Sequence, residues 1–213
     1  MKSKLIVAAA GAACALSVSA ASKAPNLDDF DWYDGKDLTV EGSVAPTVNF
    51  GGIVFKMYGT NAKIENCTNN ANINTTKAVG GIAYSVEAKA TAGSIINCTN
   101  NGNVTSTTSS VGGIVGSTSV STLSITGCTN NGTIQAQSNV GGIVGNGMGT
   151  IKNCLNAGSV VATSGKAGGI MGNCSNSSTT YGIFNCANTG DVTATQSAGG
   201  LVGGTYKSAY ANS

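Results

Sequence analysis

The stretch Ile95–Gly116 reads IINCTNNGNVTSTTSSVGGIVG, and versions of it recur along the chain. Gly-Gly pairs begin 27 to 32 residues apart, at Gly51, Gly80, Gly112, Gly141, Gly168 and Gly199. Five cysteines alternate with these pairs: Cys67, Cys98, Cys128, Cys154 and Cys186. Each cysteine is followed after 13 or 14 residues by a Gly-Gly pair, whereas each pair precedes its cysteine by 13 to 18 residues. One half of the repeat is therefore fixed in length and the other half is elastic, which is typical of strands in register joined by surface loops.

Alignment on the cysteines shows which other positions recur. An Ile stands three residues before each cysteine, and a Val or Ile stands six residues after it. An asparagine stands two residues after every one of them: Asn69, Asn100, Asn130, Asn156 and Asn188. Each repeat thus offers three short segments of β-forming residues separated by Asn and Gly turns. Helices are excluded because Gly and Asn are too dense and no helical spacing of apolar residues is sustained.

Three short strands cannot bury an apolar face alone, but stacked repeats can. The sequence therefore predicts an all-β fold, a parallel β-solenoid (β-helix) of about five coils with three short strands per 27–32-residue repeat. The asparagines and the cysteines are then structural ladders inside the coil, each asparagine bonding to its own copies.

The sequence allows three interpretations of the cysteines. Small buried thiols are favoured, because stacked parallel neighbours are poorly oriented for a disulfide. Disulfides in an exported protein and a zinc site are the alternatives, although the spacing lacks any Cys-x-x-Cys motif. Cys174 lies in an elastic segment, and we expect it to be exposed or paired with Cys186.

The repeat resembles the GLUG-motif repeats of bacterial surface and secreted proteins, which also flank the protease domain of metallopeptidases that cut immunoglobulin A. The matching residues are Gly113–Gly116, Gly142–Gly145, Gly169–Gly172 and Gly200–Gly203, together with the Asn-Cys-x-Asn turns. The weaker matches Gly52–Phe55 and Gly81–Tyr84 lack the second Gly. The resemblance covers about Gly51 to Gly204. It implies a β-solenoid and an adhesin-like surface module, and it transfers no catalytic residue.

The beginning of the chain predicts export. Lys2 and Lys4 precede an apolar stretch from Leu5 to about Leu16, and small residues follow, with a cleavage site near Ala20. The predicted divisions are a signal peptide at 1–20, an N-terminal cap or linker at 21–50, the repeat solenoid at 51–204, and a C-terminal tail or truncated coil at 205–213. No later segment is long and apolar enough to span a bilayer. The mature chain is therefore expected to be secreted or held at the cell surface.

Charge and composition exclude several functions. Without Lys2 and Lys4 the net charge of +2 falls to zero, and every basic residue is a lysine, so nucleic acid is not an expected partner. The chain has no His, which excludes Ser-His-Asp catalysis and His-based zinc sites. After Gly51 the acids Glu65, Glu87 and Asp191 lie far apart in the repeat, unlike the paired carboxylates of glycosidases. We therefore predict no enzyme activity, no catalytic residue, no metal and no cofactor.

Two other patterns invite a function. The acidic and aromatic stretch from Asp28 to Asp37 is predicted to cap the end of the solenoid, with a calcium site as the alternative. Outward positions after each cysteine form a candidate binding face: Thr76, Thr105, Thr107, Thr163, Thr193 and Thr195.

These features favour a non-catalytic secreted or cell-surface repeat protein, adhesin-like or acting as a structural spacer, whose ligand is an unidentified glycan or protein. The Thr-rich face makes an ice-binding solenoid one alternative. A repeat fragment of a larger surface enzyme, such as a metallopeptidase, is the other.

Overall fold

The computed structural model describes residues 15–20, 35–57, 61–87, 93–175, 182–204 and 211–212. Every regular element in these ranges is a β-strand. Near the start of the chain, β1 (Ala15–Ala20) pairs antiparallel with β3 (Leu38–Val44). All other strand pairs in the described ranges are parallel.

Each of the four central coils, from β6 to β25, contains five short strands, which we name after the feature that each carries. The Ile strands are β2 (Gly35–Lys36), β6 (Lys63–Glu65), β11 (Ser94–Ile96), β16 (Ser124–Thr126), β21 (Thr150–Lys152), β26 (Ile183–Phe184) and β30 (Ala211–Asn212). The Asn strands are β7 (Thr68–Asn69), β12 (Thr99–Asn100), β17 (Thr129–Asn130), β22 (Leu155–Asn156) and β27 (Ala187–Asn188). The Val strands are β8 (Asn72–Thr75), β13 (Val104–Ser106), β18 (Ile134–Ala136), β23 (Val160–Ala162) and β28 (Val192–Ala194).

The remaining strands flank the Gly-Gly pairs. The Gly-Gly strands are β4 (Phe50–Gly51), β9 (Val79–Gly80), β14 (Ser109–Gly112), β19 (Ser138–Gly141), β24 (Lys166–Gly168) and β29 (Ser197–Gly199). The loop strands, which precede the elastic loops, are β5 (Val54–Met57), β10 (Ala83–Val86), β15 (Val115–Thr118), β20 (Val144–Gly147) and β25 (Met171–Cys174).

Strands of the same name pair in successive coils, so that equivalent residues form columns along the rod. Asn69, Asn100 and Asn130 are direct partners in the Asn strands, and the Ile, Val and Gly-Gly strands keep the same register. The predicted all-β parallel solenoid of about five coils is confirmed. The number of strands per coil differs from the prediction, since five short strands replace three.

A left-handed residue explains the division between the Ile strand and the Asn strand, whereas a two-residue bend such as 113–114 divides the Gly-Gly strand from the loop strand. The residue directly before each cysteine separates an Ile strand from an Asn strand with a positive φ: Asn66 (54°), Asn97 (51°), Gly127 (66°), Asn153 (53°) and Asn185 (50°). Asparagine and glycine are the residues that adopt this conformation at least cost. The first residue of the Asn-Cys motif therefore turns the chain, and the chain re-enters a second strand immediately.

The core is a narrow stack of aliphatic and thiol side chains. Most of its largest fully buried members are isoleucines, including Ile64, Ile95 and Ile125 of the Ile strands and Ile114 and Ile143 beside the Gly-Gly pairs. A column of branched side chains in parallel register buries each residue between its copies above and below. Burial of this column supplies the apolar driving force for stacking.

The solenoid begins before the boundary predicted at residue 51. β2, β3, β4 and β5 form an N-terminal coil whose residues pair in register with the next coil. In this coil Val40 pairs with Asn69 and so takes the asparagine position. Asp37 takes the left-handed turn, with φ at 54°. The rest of the predicted acidic cap, Asp28 to Asp34, lies outside the described residues.

The elastic half of the repeat is the loop between each loop strand and the next Ile strand. Its length ranges from two residues at 148–149 to eight at 175–182. The strands that flank these segments are stacked, so the described ends of the segments lie at one edge of the solenoid. The edge that carries length variation is therefore one continuous surface along the rod.

Two glycines of one column offer a test of the packing. A Cβ on Gly113 would lie 2.5 Å from Asn130 Cγ, whereas a Cβ on Gly200, the equivalent position in the last coil, meets nothing within 4 Å. We expect Gly113→Ala to lower the free energy of unfolding by roughly 1–3 kcal/mol. Gly200→Ala should leave it unchanged or raise it by up to about 1 kcal/mol. Urea unfolding followed by circular dichroism compares the two, and equal midpoints would contradict this packing.

Candidate functional site

The asparagine column is a continuous ladder of amide hydrogen bonds inside the coil. Asn69 Nδ2 donates to Asn100 Oδ1 at 2.7 Å, and Asn100 donates in the same way to Asn130. Asn130 and Asn156 continue the ladder at the same distance. These first four asparagines are completely buried. The ladder runs in one direction and ends on Val40 at the N-terminal coil, where no amide stands.

Each amide of the ladder also holds its own turn. Asn100 Nδ2 donates to the carbonyl of Gly102 at 2.9 Å, and Asn130 Nδ2 donates to the carbonyl of Gly132 at 2.8 Å. The second Gly of the first five Gly-Gly pairs packs against the amide, since a Cβ on Gly81, for example, would lie 2.6 Å from Asn100 Cγ. The two landmarks of the repeat are therefore in contact with each other, and both are structural.

The five ladder cysteines are free and buried. Their thiols point at backbone carbonyls, as in the 3.3 Å contact of Cys98 Sγ with the carbonyl of Ile96. Hydrogen bonds along the thiol column, together with burial, raise the pKa of Cys67 and Cys186, and hydrogen bonds from the neighbouring thiols lower the pKa of Cys98 and Cys154 to about 4. Cys67 and Cys186 are therefore neutral near pH 7, and a neutral buried thiol is a poor nucleophile.

Cys174 is neither exposed nor paired with Cys186, so the prediction for this residue is wrong. Cys174 ends β25 in register with Gly147, and 8% of its surface is exposed. It is free rather than paired with Cys186. The loop strand continues through residue 174, so the elastic segment begins only after it.

The acids considered for catalysis lie on separate surfaces. Glu65 forms an ion pair with Lys63 at 2.9 Å, and Glu87 forms one with Lys56. Asp191 is exposed before β28. Within the described ranges no three His, Cys, Asp or Glu residues come together in a way that could hold a metal ion.

The candidate Thr face divides into two kinds of position. Thr105 and Thr193 lie on Val strands in one column, where their register partners include Gln135 and Val161. The other four threonines follow the ends of Val strands at bends: Thr76, Thr107, Thr163 and Thr195. The strand column thus contains amide, aliphatic and hydroxyl side chains, and only two of the six predicted threonines lie on it.

A groove of about 510 Å³ runs along the loop strands beside the elastic loops. Its lining is mainly hydroxyl and amide side chains, with one acid and one thioether, and includes Ser85, Glu87, Ser117, Thr118, Asn146 and Met148. Ser85, Ser117 and Asn146 are register partners, so one outward column forms the floor of the groove. Asn173 extends this column and donates to Asn146 Oδ1 at 2.8 Å.

Two aromatic residues stand next to this column at the N-terminal end. Phe55 and Tyr84 occupy the positions at which later coils carry Gly116 and Gly145, and their rings are stacked with centroids 5.5 Å apart. The sequence pattern marked them only as weak matches to the repeat. The departure from glycine was the signal that could have identified them.

No helix in the described ranges is long and apolar enough to cross a membrane. No protein-family model, curated protein or solved structure matches the chain. The resemblance to GLUG-motif repeats therefore stays a prediction from the residues of the repeat. The fold rests on the strand register itself.

The two asparagines of one turn allow a matched test of the ladder. Asn100 is buried in the inner ladder, whereas its neighbour Asn101 forms an exposed amide ladder with Asn70 and Asn131. Asn100→Ala removes the acceptor of one of the two hydrogen bonds that Asn69 Nδ2 donates, and it removes the donor to Asn130 Oδ1 and to the carbonyl of Gly102. We expect it to lower the free energy of unfolding by roughly 2–5 kcal/mol.

Asn101→Ala removes an amide group of the same kind, but one that is exposed to solvent. It should change the free energy of unfolding by no more than about 0.5 kcal/mol. Chemical denaturation of both variants beside the wild type measures the difference. A smaller loss for Asn100→Ala than for Asn101→Ala would show that the inner ladder does not hold the coils together.

Proposed function

We propose that the chain is a non-catalytic, adhesin-like protein, secreted or displayed at a cell surface, which binds a polar ligand in the groove along its loop strands. The groove itself carries the proposal. It has the volume of a ligand site and lies beside the elastic loops, where a rigid scaffold can tolerate variation. The stacked Ser85, Ser117 and Asn146 column offers hydroxyl and amide groups along the direction of the rod.

The chemistry of the lining supports a neutral, hydrogen-bonding ligand. Serine, threonine and asparagine side chains both donate and accept hydrogen bonds. The one acid of the lining, Glu87, is neutralised by Lys56. An extended neutral polymer, such as a glycan chain, fits this arrangement better than a strongly charged ligand.

Ice binding is the second proposal and has weaker support. An ice-binding face requires a flat, regular ladder, and the strand column of the Val strands carries Asn74, Gln135 and Val161 beside its two threonines. Thermal hysteresis of the purified protein tests it directly, and a freezing point equal to the melting point would end this alternative.

A pair of substitutions tests the groove. Ser117→Tyr places a ring on the groove floor, and Thr105→Tyr places the same ring on the Val-strand face; both residues are half-buried on strands. The mature chain should bind at least one component of a glycan and matrix-protein array. Ser117→Tyr should reduce that binding at least tenfold, because the added ring fills the space of the ligand.

Thr105→Tyr should leave the affinity unchanged. The opposite pattern, loss with Thr105→Tyr alone, would move the ligand to the Thr face. If no component of the array binds, the adhesin-like function is contradicted, and a structural spacer is the function that remains.

A further inference from the structure

The N-terminal end of the loop-strand surface carries a stacked aromatic pair. The rings of Phe55 and Tyr84 are 5.5 Å apart between centroids, with an angle of 20° between their planes. Phe55 is 52% exposed, and Tyr84 is half-buried. The exposed half of the Phe55 ring leaves apolar surface in contact with water. A ligand that covers this surface would gain the free energy of removing it from water.

Coil packing does not require these rings. In the following coils the same column is glycine, and a Cβ on Gly116 would lie 2.7 Å from the carbonyls of Tyr84 and Val79. The later coils therefore bring the loop strand and the Gly-Gly strand of the preceding coil close together. Phe55 and Tyr84 instead project from the first two coils, and their size is not explained by the core.

Polar groups surround the rings on several sides. Asn49 Nδ2 donates to the hydroxyl of Tyr84 at 2.9 Å. Lys56 lies with its Nζ 5.6 Å from the centroid of the Phe55 ring and forms an ion pair with Glu87. The aromatic pair is thus an apolar patch of about the size of one ring, rimmed by an amide, a phenol, an ammonium and a carboxylate.

The aromatic pair lies next to residues of the groove along the chain and in strand register. Ser85 and Glu87, which belong to the groove lining, follow Tyr84 on the same strand segment. Lys56, which follows Phe55, is the register partner of Ser85. The rings of Phe55 and Tyr84 are thus one residue along their strands from the register position of the groove floor.

We propose that Phe55 and Tyr84 form a stacking subsite for one sugar ring of a neutral oligosaccharide, whose further rings lie in the groove. This inference rests on the proposed adhesin-like function and names the chemical class of its ligand. A pyranose presents an apolar face of C–H groups and a rim of hydroxyls. That combination matches an exposed aromatic ring bordered by hydrogen-bonding groups of both polarities.

Other ligand classes fit less well. A polyanion would require a basic surface, and the mature chain is expected to be neutral, with Lys56 already paired to Glu87. An apolar protein side chain binds best in a closed, desolvated pocket, and Phe55 lies on an open surface. A sugar ring, which keeps its hydroxyls in water while it covers the aromatic face, suits this exposure.

The experiment titrates the mature chain with neutral hexasaccharides of β-1,4-glucose, β-1,4-xylose, α-1,4-glucose and β-1,4-N-acetylglucosamine. Ring resonances of Phe55 and Tyr84 in NMR spectra report on the subsite, and calorimetry gives the affinity. We expect at least one hexasaccharide to shift these resonances. Phe55→Ala should weaken its binding about tenfold, and Phe55→Trp should preserve it.

Phe184 supplies the matched control. Its ring also lies beside a lysine, with Lys152 Nζ 5.5 Å from the centroid, but it lies on an Ile strand and away from the groove. Phe184→Ala should leave the affinity unchanged. The Phe55→Ala variant is expected to fold, because later coils carry glycine in this column, and circular dichroism verifies it.

The outcomes separate the subsite from the adhesin-like function. Saccharide binding that Phe55→Ala does not weaken would overturn the stacking subsite and leave the groove as the binding site. Binding to a matrix protein without binding to any hexasaccharide would also overturn it, while the adhesin-like function stands. A mature chain that binds neither class would overturn both.

Discussion

The structure depends on one interaction, the hydrogen bond that each buried asparagine donates to the same asparagine of the next coil. Asn69, Asn100, Asn130 and Asn156 have no exposed surface, and each amide donates both to the next amide and to a carbonyl of its own turn. A buried amide without partners costs more than the bond contributes, so every coil must adopt the register of its neighbour. The in-register columns of isoleucine, valine and cysteine follow from that requirement.

The same interaction dictates where small residues stand and where variation is allowed. The amides leave no space for a side chain at Gly81 or Gly113, so the second Gly of the pair is necessary in every coil except the last, where Gly200 has open space. The segment from the Asn strand to the Gly-Gly strand must stay in register with the same segment of the next coil, so its length cannot change. Variation is confined to the loops that follow the loop strands. The groove and the aromatic pair lie on that free edge, which is why we assign binding to it.

Much of the fold could be predicted from the sequence because stacking repeats the same requirement in every coil. Five in-phase copies of Asn-Cys-x-Asn and six Gly-Gly pairs predicted a parallel solenoid and its ladders. Features that occur once, or that break the pattern, were not visible in this way. The N-terminal coil was missed because Leu38 and Val40 replace the cysteine and the asparagine. Of the two extra strands, one was missed because a left-handed residue, such as Asn66, divides a segment without altering its composition, and the other because a two-residue bend divides the Gly-Gly segment. Phe55 and Tyr84, which form the proposed stacking subsite, depart from the repeat and were therefore seen in the sequence only as weaker matches to it.

Hydrogen exchange of the asparagine side-chain amides tests the ladder most directly. Amide protons that are buried and bonded exchange only when the surrounding structure opens, whereas exposed amide protons exchange from the native state. In NMR spectra recorded after transfer to D₂O, the side-chain amide protons of Asn100 and Asn130 should persist long after those of Asn101 and Asn131 have exchanged. Loss of all four sets at the same rate would contradict a buried ladder and, with it, the account of how these coils are held in register.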